Sequence, residues 1–88
     1  MAESTIEKLI KWSIATGTTD SYGNLILSNY AGMSAINVLP VRGDSGYYNS
    51  YYSVMLGTSA NGTPVATCID QSGNKLANNN VKLKVFYL

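Results

Sequence analysis

Seven tyrosines, nine asparagines and no histidine set the chemistry open to this chain. Four of the tyrosines fall in one segment, Asp44-Ser45-Gly46-Tyr47-Tyr48-Asn49-Ser50-Tyr51-Tyr52-Ser53. Tyr interleaved with Ser, Gly and Asn is the composition of antibody binding loops. It joins large amphipathic rings of low entropy cost to adaptable hydrogen-bonding groups. An exposed Tyr ring stacks on the apolar face of a sugar while its hydroxyl bonds outward. Tyr47, Tyr48 and Asn49 are therefore candidate ligand-binding residues, with Arg42 at the head of the loop. Tyr51 and Tyr52 join them as candidates, although Tyr also favours the packed surface of a strand, and both readings stay open for this pair.

Other chemistries find little to work with. Without His there is no imidazole acid–base pair and no His-based metal site. Asp20 and Asp70 stand at turn starts, where Asp caps its own backbone, and the carboxylates form no evident pair split in pKa. The chain is expected not to be an enzyme and to need no cofactor. Arg42-Gly43-Asp44 spells the tripeptide that integrins bind, but ordinary turn chemistry accounts for it. Asn61-Gly62-Thr63 matches a glycosylation sequon, which matters only in a eukaryotic secretory pathway. Cys68 is alone, so no intrachain disulfide forms, and Val65-Ala66-Thr67-Cys68-Ile69 reads it as a small core residue made in a reducing cytoplasm.

Composition narrows the partners. Six Lys and Arg against five Asp and Glu give a net charge of +1. Phosphate neutralisation needs a basic patch, so no nucleic acid is expected. At 45% apolar and 12% charged residues the chain is built to fold. Ten Ser, seven Thr and nine Asn supply its polarity, and such groups are less costly to desolvate than ions. No apolar run approaches the ~18–20 residues of a membrane span, no signal peptide is legible, and no membrane insertion is expected.

The elements that must hold these residues are strands. Only the start reads as helix: Ser4 with Glu7 fits a capping box, and Ile6, Leu9 and Ile10 follow at helical spacing. These three are the candidate oligomer contacts. The predicted division is a short helical segment over residues 1–11 and a β domain over 12–88. From Ile10 the pattern alternates, so a strand starting near Leu9 is the competing reading, and Trp12 is expected inside with Ile10 and Ile14. Further strands are expected at 24–28, 33–41, 51–56, 63–70 and 81–88, divided by Gly- and Asn-rich turns, including a Ser59-Ala60-Asn61-Gly62 hairpin of the Asn-Gly kind. No internal repeat is legible. Residues 33–41 and 81–88 are apolar on both faces, which calls for a cover over the outer face. In 88 residues that cover is expected to be another subunit, with a second sheet of the same chain as the alternative. The fold class is all-β, a small jelly-roll-like antiparallel sandwich with a short N-terminal helix.

Trp12-Ser13, Gly17-Thr18-Thr19-Asp20 with Gly23-Asn24, the segment Asp70-Gln71-Ser72-Gly73-Asn74-Lys75-Leu76-Ala77-Asn78 and the terminal Val81-Lys-Leu-Lys-Val-Phe-Tyr-Leu88 carry a resemblance. Over about residues 9–88 the chain resembles the C-terminal head domains of phage tail-fibre and baseplate receptor-binding proteins. The resemblance implies a homotrimer of β-sandwich heads at a fibre tip in the virion, joined to a helical stalk and binding a bacterial surface saccharide or other host receptor. Fibre proteins are usually much longer, so a fragment or a very small version is expected. Two further functions fit the composition: a trimerisation tip without ligand, and a monomeric carbohydrate-binding domain of an enzyme. The second would place Trp12 exposed beside the tyrosines.

Overall fold

The computed structural model describes residues 9–88. Six strands follow one another: β1 (Lys11–Thr18), β2 (Asn24–Ile26), β3 (Ala35–Pro40), β4 (Tyr52–Thr58), β5 (Pro64–Asp70) and β6 (Asn80–Tyr87). Between β1 and β6 the helical content is one 3-10 turn, Ser28–Tyr30. The strands form two three-stranded sheets, ordered β1-β6-β3 and β2-β5-β4, with every pair antiparallel. The chain is all-β in its described part. The helix expected near the start, and Ile6 with it, lies for the most part outside the described residues. Lys11 already belongs to β1, one residue inside the segment read as helical.

Alternation decides which side chains go in. Val81, Leu83 and Val85 of β6 are fully buried, with Lys82 and Lys84 on the opposite face. Burying an aliphatic side chain of this size stabilises the fold by ~1.5–3 kcal/mol. Ala66 and Cys68 of β5, Tyr52 of β4 and Val38 of β3 join the same core, with Leu27, Tyr30 and Leu76. Residues of both sheets thus share one core. Cys68 is wholly buried, and burial pushes its thiol up to about 11.

On β1 the expectation fails. Trp12 is 58% exposed and Ile14 43% exposed, while Ser13, Ala15 and Gly17 face inward. The reason lies across the core. A Cβ on Gly17 would stand 2.6 Å from Leu25 Cδ1. The Ser13 hydroxyl pairs with that of buried Tyr30. The inner face of β1 is small because Leu25 and Tyr30 fill that space. Trp12 lies instead on the outer face, opposite Phe86, with Lys84 Nζ 4.1 Å from its ring centroid. In β3 a bulge between Ala35 and Asn37 takes Ile36 out of step with Val38, so Ile36 is exposed and Val38 buried. Such an extra residue breaks the period of two.

A local repeat recurs in the turns, where none was read from the sequence. Asp20–Asn24, Ser59–Thr63 and Asp70–Asn74 are built alike. In each, the fourth residue is a Gly at positive φ (77°, 88° and 87°). Its N–H donates to the carbonyl of the first, at 3.1, 2.9 and 3.0 Å. The N–H of the first donates to the carbonyl of the fifth, at 2.9, 2.8 and 2.8 Å. This is a type I turn closed by a glycine bulge, and the hairpin expected at Ser59–Gly62 is built on it, joining β4 to β5. Asp20 and Asp70 each accept two backbone N–H groups of their own turn on Oδ1.

Candidate functional site

The tyrosine-rich segment leaves β3 through Val41, whose N–H donates to the Lys82 carbonyl at 2.8 Å. It turns at Gly43 and Gly46, both at positive φ, and returns into β4 at Tyr52. Asn49 staples it from within. Its Oδ1 accepts the Gly43 N–H at 2.8 Å and its Nδ2 donates to the Asp44 carbonyl at 3.0 Å. An amide so engaged shapes the loop. The Asp44 carboxylate pairs with Lys82 of β6, tying the loop to the sheet. That hydrogen bond raises the Lys82 pKa above its ordinary value.

The four tyrosines divide by position. Tyr48 and Tyr52 turn inward. Their rings meet edge-on, with centroids 5.5 Å apart. The Tyr48 N–H donates to the Asn80 carbonyl at 2.7 Å, and the Tyr52 hydroxyl to the Lys82 carbonyl at 3.2 Å. Burial pushes the Tyr52 phenol up to about 12. Tyr47 and Tyr51 turn outward. Tyr51 is 66% exposed, and the Arg42 guanidinium carbon stands 3.9 Å from its ring centroid. Tyr47 is half-buried, with Lys82 Nζ 5.7 Å from its centroid.

Two shallow hollows adjoin Tyr47. One, of about 350 Å³, is lined by Thr16, Gly17, Thr18, Ser45, Gly46, Tyr47 and Asn80. The other, also about 350 Å³, is lined by Gly46, Tyr47, Tyr48, Asn78, Asn79 and Asn80. Neither lining holds an ionised side chain. Hydroxyls, amides and the aromatic rings of Tyr47 and, in the second hollow, Tyr48 are what an uncharged polyol requires. Thr16, Thr18 and the Asn78-Asn79-Asn80 run were not among the sequence candidates. The run of three Asn was the available signal: Asn78 adopts positive φ (54°), a conformation Asn tolerates better than most residues. Thr18 Oγ1 donates to Asn80 Oδ1 at 2.6 Å and fixes the amide at the rim.

The sequence candidates therefore fall in three places. Tyr47 walls the hollows, Arg42 and Tyr51 form a separate exposed stack, and Tyr48, Asn49 and Tyr52 hold the loop in place. Leu9 is exposed and Ile10 half-buried beside the start of β1. Among the described residues no group of three or more His, Cys, Asp or Glu could hold a metal ion. No helix among them is long and apolar enough to cross a membrane. No family model, no curated protein and no solved structure matches the chain.

Proposed function

We propose that the chain is a non-catalytic recognition head that binds a bacterial surface saccharide through the hollows beside Tyr47. In this reading it sits at the tip of a phage tail fibre in the virion. The two sheets form a small jelly-roll-like sandwich, and three copies assemble through Leu9, Ile10 and the segment before them. The observation that carries the reading is the half-exposed Tyr47 ring, set between two uncharged, hydroxyl- and amide-lined hollows. Three weak sites on one tip raise avidity by ~10²–10⁴ over one site. The test is a binding screen on bacterial cell-wall glycans with Tyr47→Ala. Binding by the parent chain that is lost in the folded variant supports the reading.

A second reading is a trimerisation tip without ligand. Buried Tyr52 and partly buried Tyr48 favour it, because half of the tyrosine segment serves packing. The carbohydrate-binding domain of an enzyme has weaker support. Trp12 is exposed, but it stands four positions along β1 from Thr16 at the hollow, ~13 Å along the strand.

A further inference from the structure

The two sheets have four edge strands, β1 and β3 in one, β2 and β4 in the other. Unpaired edges invite pairing with another chain, and proteins blunt them by shortness, Pro, bulges or covering structure. β2 is three residues long. β3 carries a bulge and ends on Pro40, and β3 and β4 lie against one another. Among the described residues β1 has none of these devices. It runs eight residues in unbroken register, without Pro, and Lys11 is its one charge.

The hydrogen-bonding phase of that edge follows from β6. The carbonyls of Asn80 and Lys82 accept from Tyr48 and Val41, and the Leu88 N–H donates to Ser34, all on the β3 side. The Asn79 carbonyl accepts from Thr19, on the β1 side. Even-numbered residues of β6 therefore face β3 and odd-numbered ones face β1. In the β1–β6 register odd pairs with odd, as in Ser13 with Val85 and Ala15 with Leu83. The backbone groups of Trp12, Ile14, Thr16 and Thr18 accordingly point away from the sheet. Among the described residues none of them has a backbone partner. Beside this edge lies an open groove of about 230 Å³, between Ile14–Thr16 and the segment Leu25–Tyr30.

We propose that the open edge of β1 pairs antiparallel with β1 of a second copy, extending the β1-β6-β3 sheet across a two-fold axis. A register centred on Ile14 meets every requirement. It sets Ile14 opposite Ile14 of the second copy and Trp12 opposite its Thr16, so outward-pointing backbone groups meet outward-pointing groups. Outer faces also remain aligned with outer faces, as the period of two demands. Lys11 falls opposite Gly17, so no like charges stand directly across the join. Ser13 falls opposite Ala15, and these small side chains fit the shallow groove. The contact is edge-on and small beside a permanent interface, so it depends on concentration. It reaches Thr16 and Gly17, which also line one hollow beside Tyr47, but it rests on the backbone edge of β1 and not on the saccharide reading. Being two-fold, it joins heads in pairs and does not close a three-fold ring.

The test is the mass of the chain in solution, measured by light scattering up to ~1 mM, with amide exchange at Trp12, Ile14 and Thr16. The expected result is an even number of chains and protection of these three amides on assembly. Ile14→Pro removes an outward N–H that β6 does not use, a position where an edge strand tolerates Pro. It should halve the mass and abolish the protection. Ile14→Lys leaves the backbone intact, sets two ammonium groups on the axis, and should do the same. An odd number of chains at every concentration, or an unchanged mass in a folded Ile14→Lys variant, overturns the proposal.

Discussion

The rings of Tyr48 and Tyr52 stand edge-on, centroids 5.5 Å apart and planes at 85°. Through this contact the loop that displays Tyr47 and Tyr51 is fixed to the core. Edge-to-face pairs contribute ~0.5–1.5 kcal/mol beyond the area they bury. A double-mutant cycle with Tyr48→Ala and Tyr52→Ala should return a coupling of that size in urea unfolding. Each single variant should also lower stability, Tyr52→Ala by ~3–5 kcal/mol, as for other buried aromatic rings. Additive effects would mean that the two rings act separately.

Thr19 is the buried polar residue of the core. Its hydroxyl donates to the Leu76 carbonyl at 2.6 Å and accepts the Asn79 N–H at 3.0 Å. Thr19→Val keeps the shape and leaves both backbone groups without that partner, at a cost of ~1–3 kcal/mol. In a domain of this size each kcal/mol lowers Tm by ~4–8 °C, which a thermal melt will read. Because Asn79 and Asn80 rim the hollows beside Tyr47, ligand binding should weaken in the same variant.

Gly23 and Gly73 occupy the same place in twin turns and should not respond alike to Ala. Both have positive φ, which costs an L-residue ~1–2 kcal/mol. At Gly73 the added Cβ meets nothing within 4 Å. At Gly23 it would stand 2.7 Å from the Cys68 carbonyl oxygen and 3.1 Å from the Leu76 nitrogen. Gly23→Ala should therefore be clearly the more destabilising of the two in denaturant titration. Equal effects would show that the packing of the Asp20–Asn24 turn on β5 is loose.

Alkali should unfold the protein earlier than its strand content alone suggests. The Cys68 thiol rises from 9.0 to about 11 and the Tyr52 phenol from 10.0 to about 12, both chiefly through burial. A raised folded-state pKa gives stability that is whole below the unfolded pKa and lost as pH passes up to the folded one. Cys68 thus acts across pH 9 to 11 and Tyr52 across pH 10 to 12. Lys82, raised by its hydrogen bond to Asp44, adds a loss of the same sign. Unfolding free energy measured against pH should fall above about pH 9, and the fall should be shallower in Cys68→Ala.

The strands were legible because their alternation is strong. Val81, Leu83 and Val85 announce a core face, and the Gly- and Asn-rich turns mark where strands end. The alternation that pairs Trp12 with Ile14 does set both on one face, but alternation alone does not say which face is the inner one. On β1 the large residues face outward, since Leu25 and Tyr30, more distant in sequence, already fill the space beneath Ser13 and Gly17. The tyrosine segment was legible as a loop but not as to which rings face out. That choice is set by Asn49, which closes the loop on Gly43 and Asp44, and by the Asn80 carbonyl that receives Tyr48. The threonines and asparagines around Tyr47 come together only through the β1–β6 pairing, which no local pattern reveals.

The proposed saccharide site beside Tyr47 stands or falls on one titration. The most direct test follows backbone amide shifts during titration with soluble bacterial cell-wall polysaccharide. Saccharide bound beside Tyr47 should give shifts that saturate and cluster at Thr16, Thr18, Gly46, Tyr47 and Asn78–Asn80, and that vanish in a folded Tyr47→Ala variant. Shifts gathered around Trp12 and Lys84, or binding unchanged by Tyr47→Ala, would contradict it.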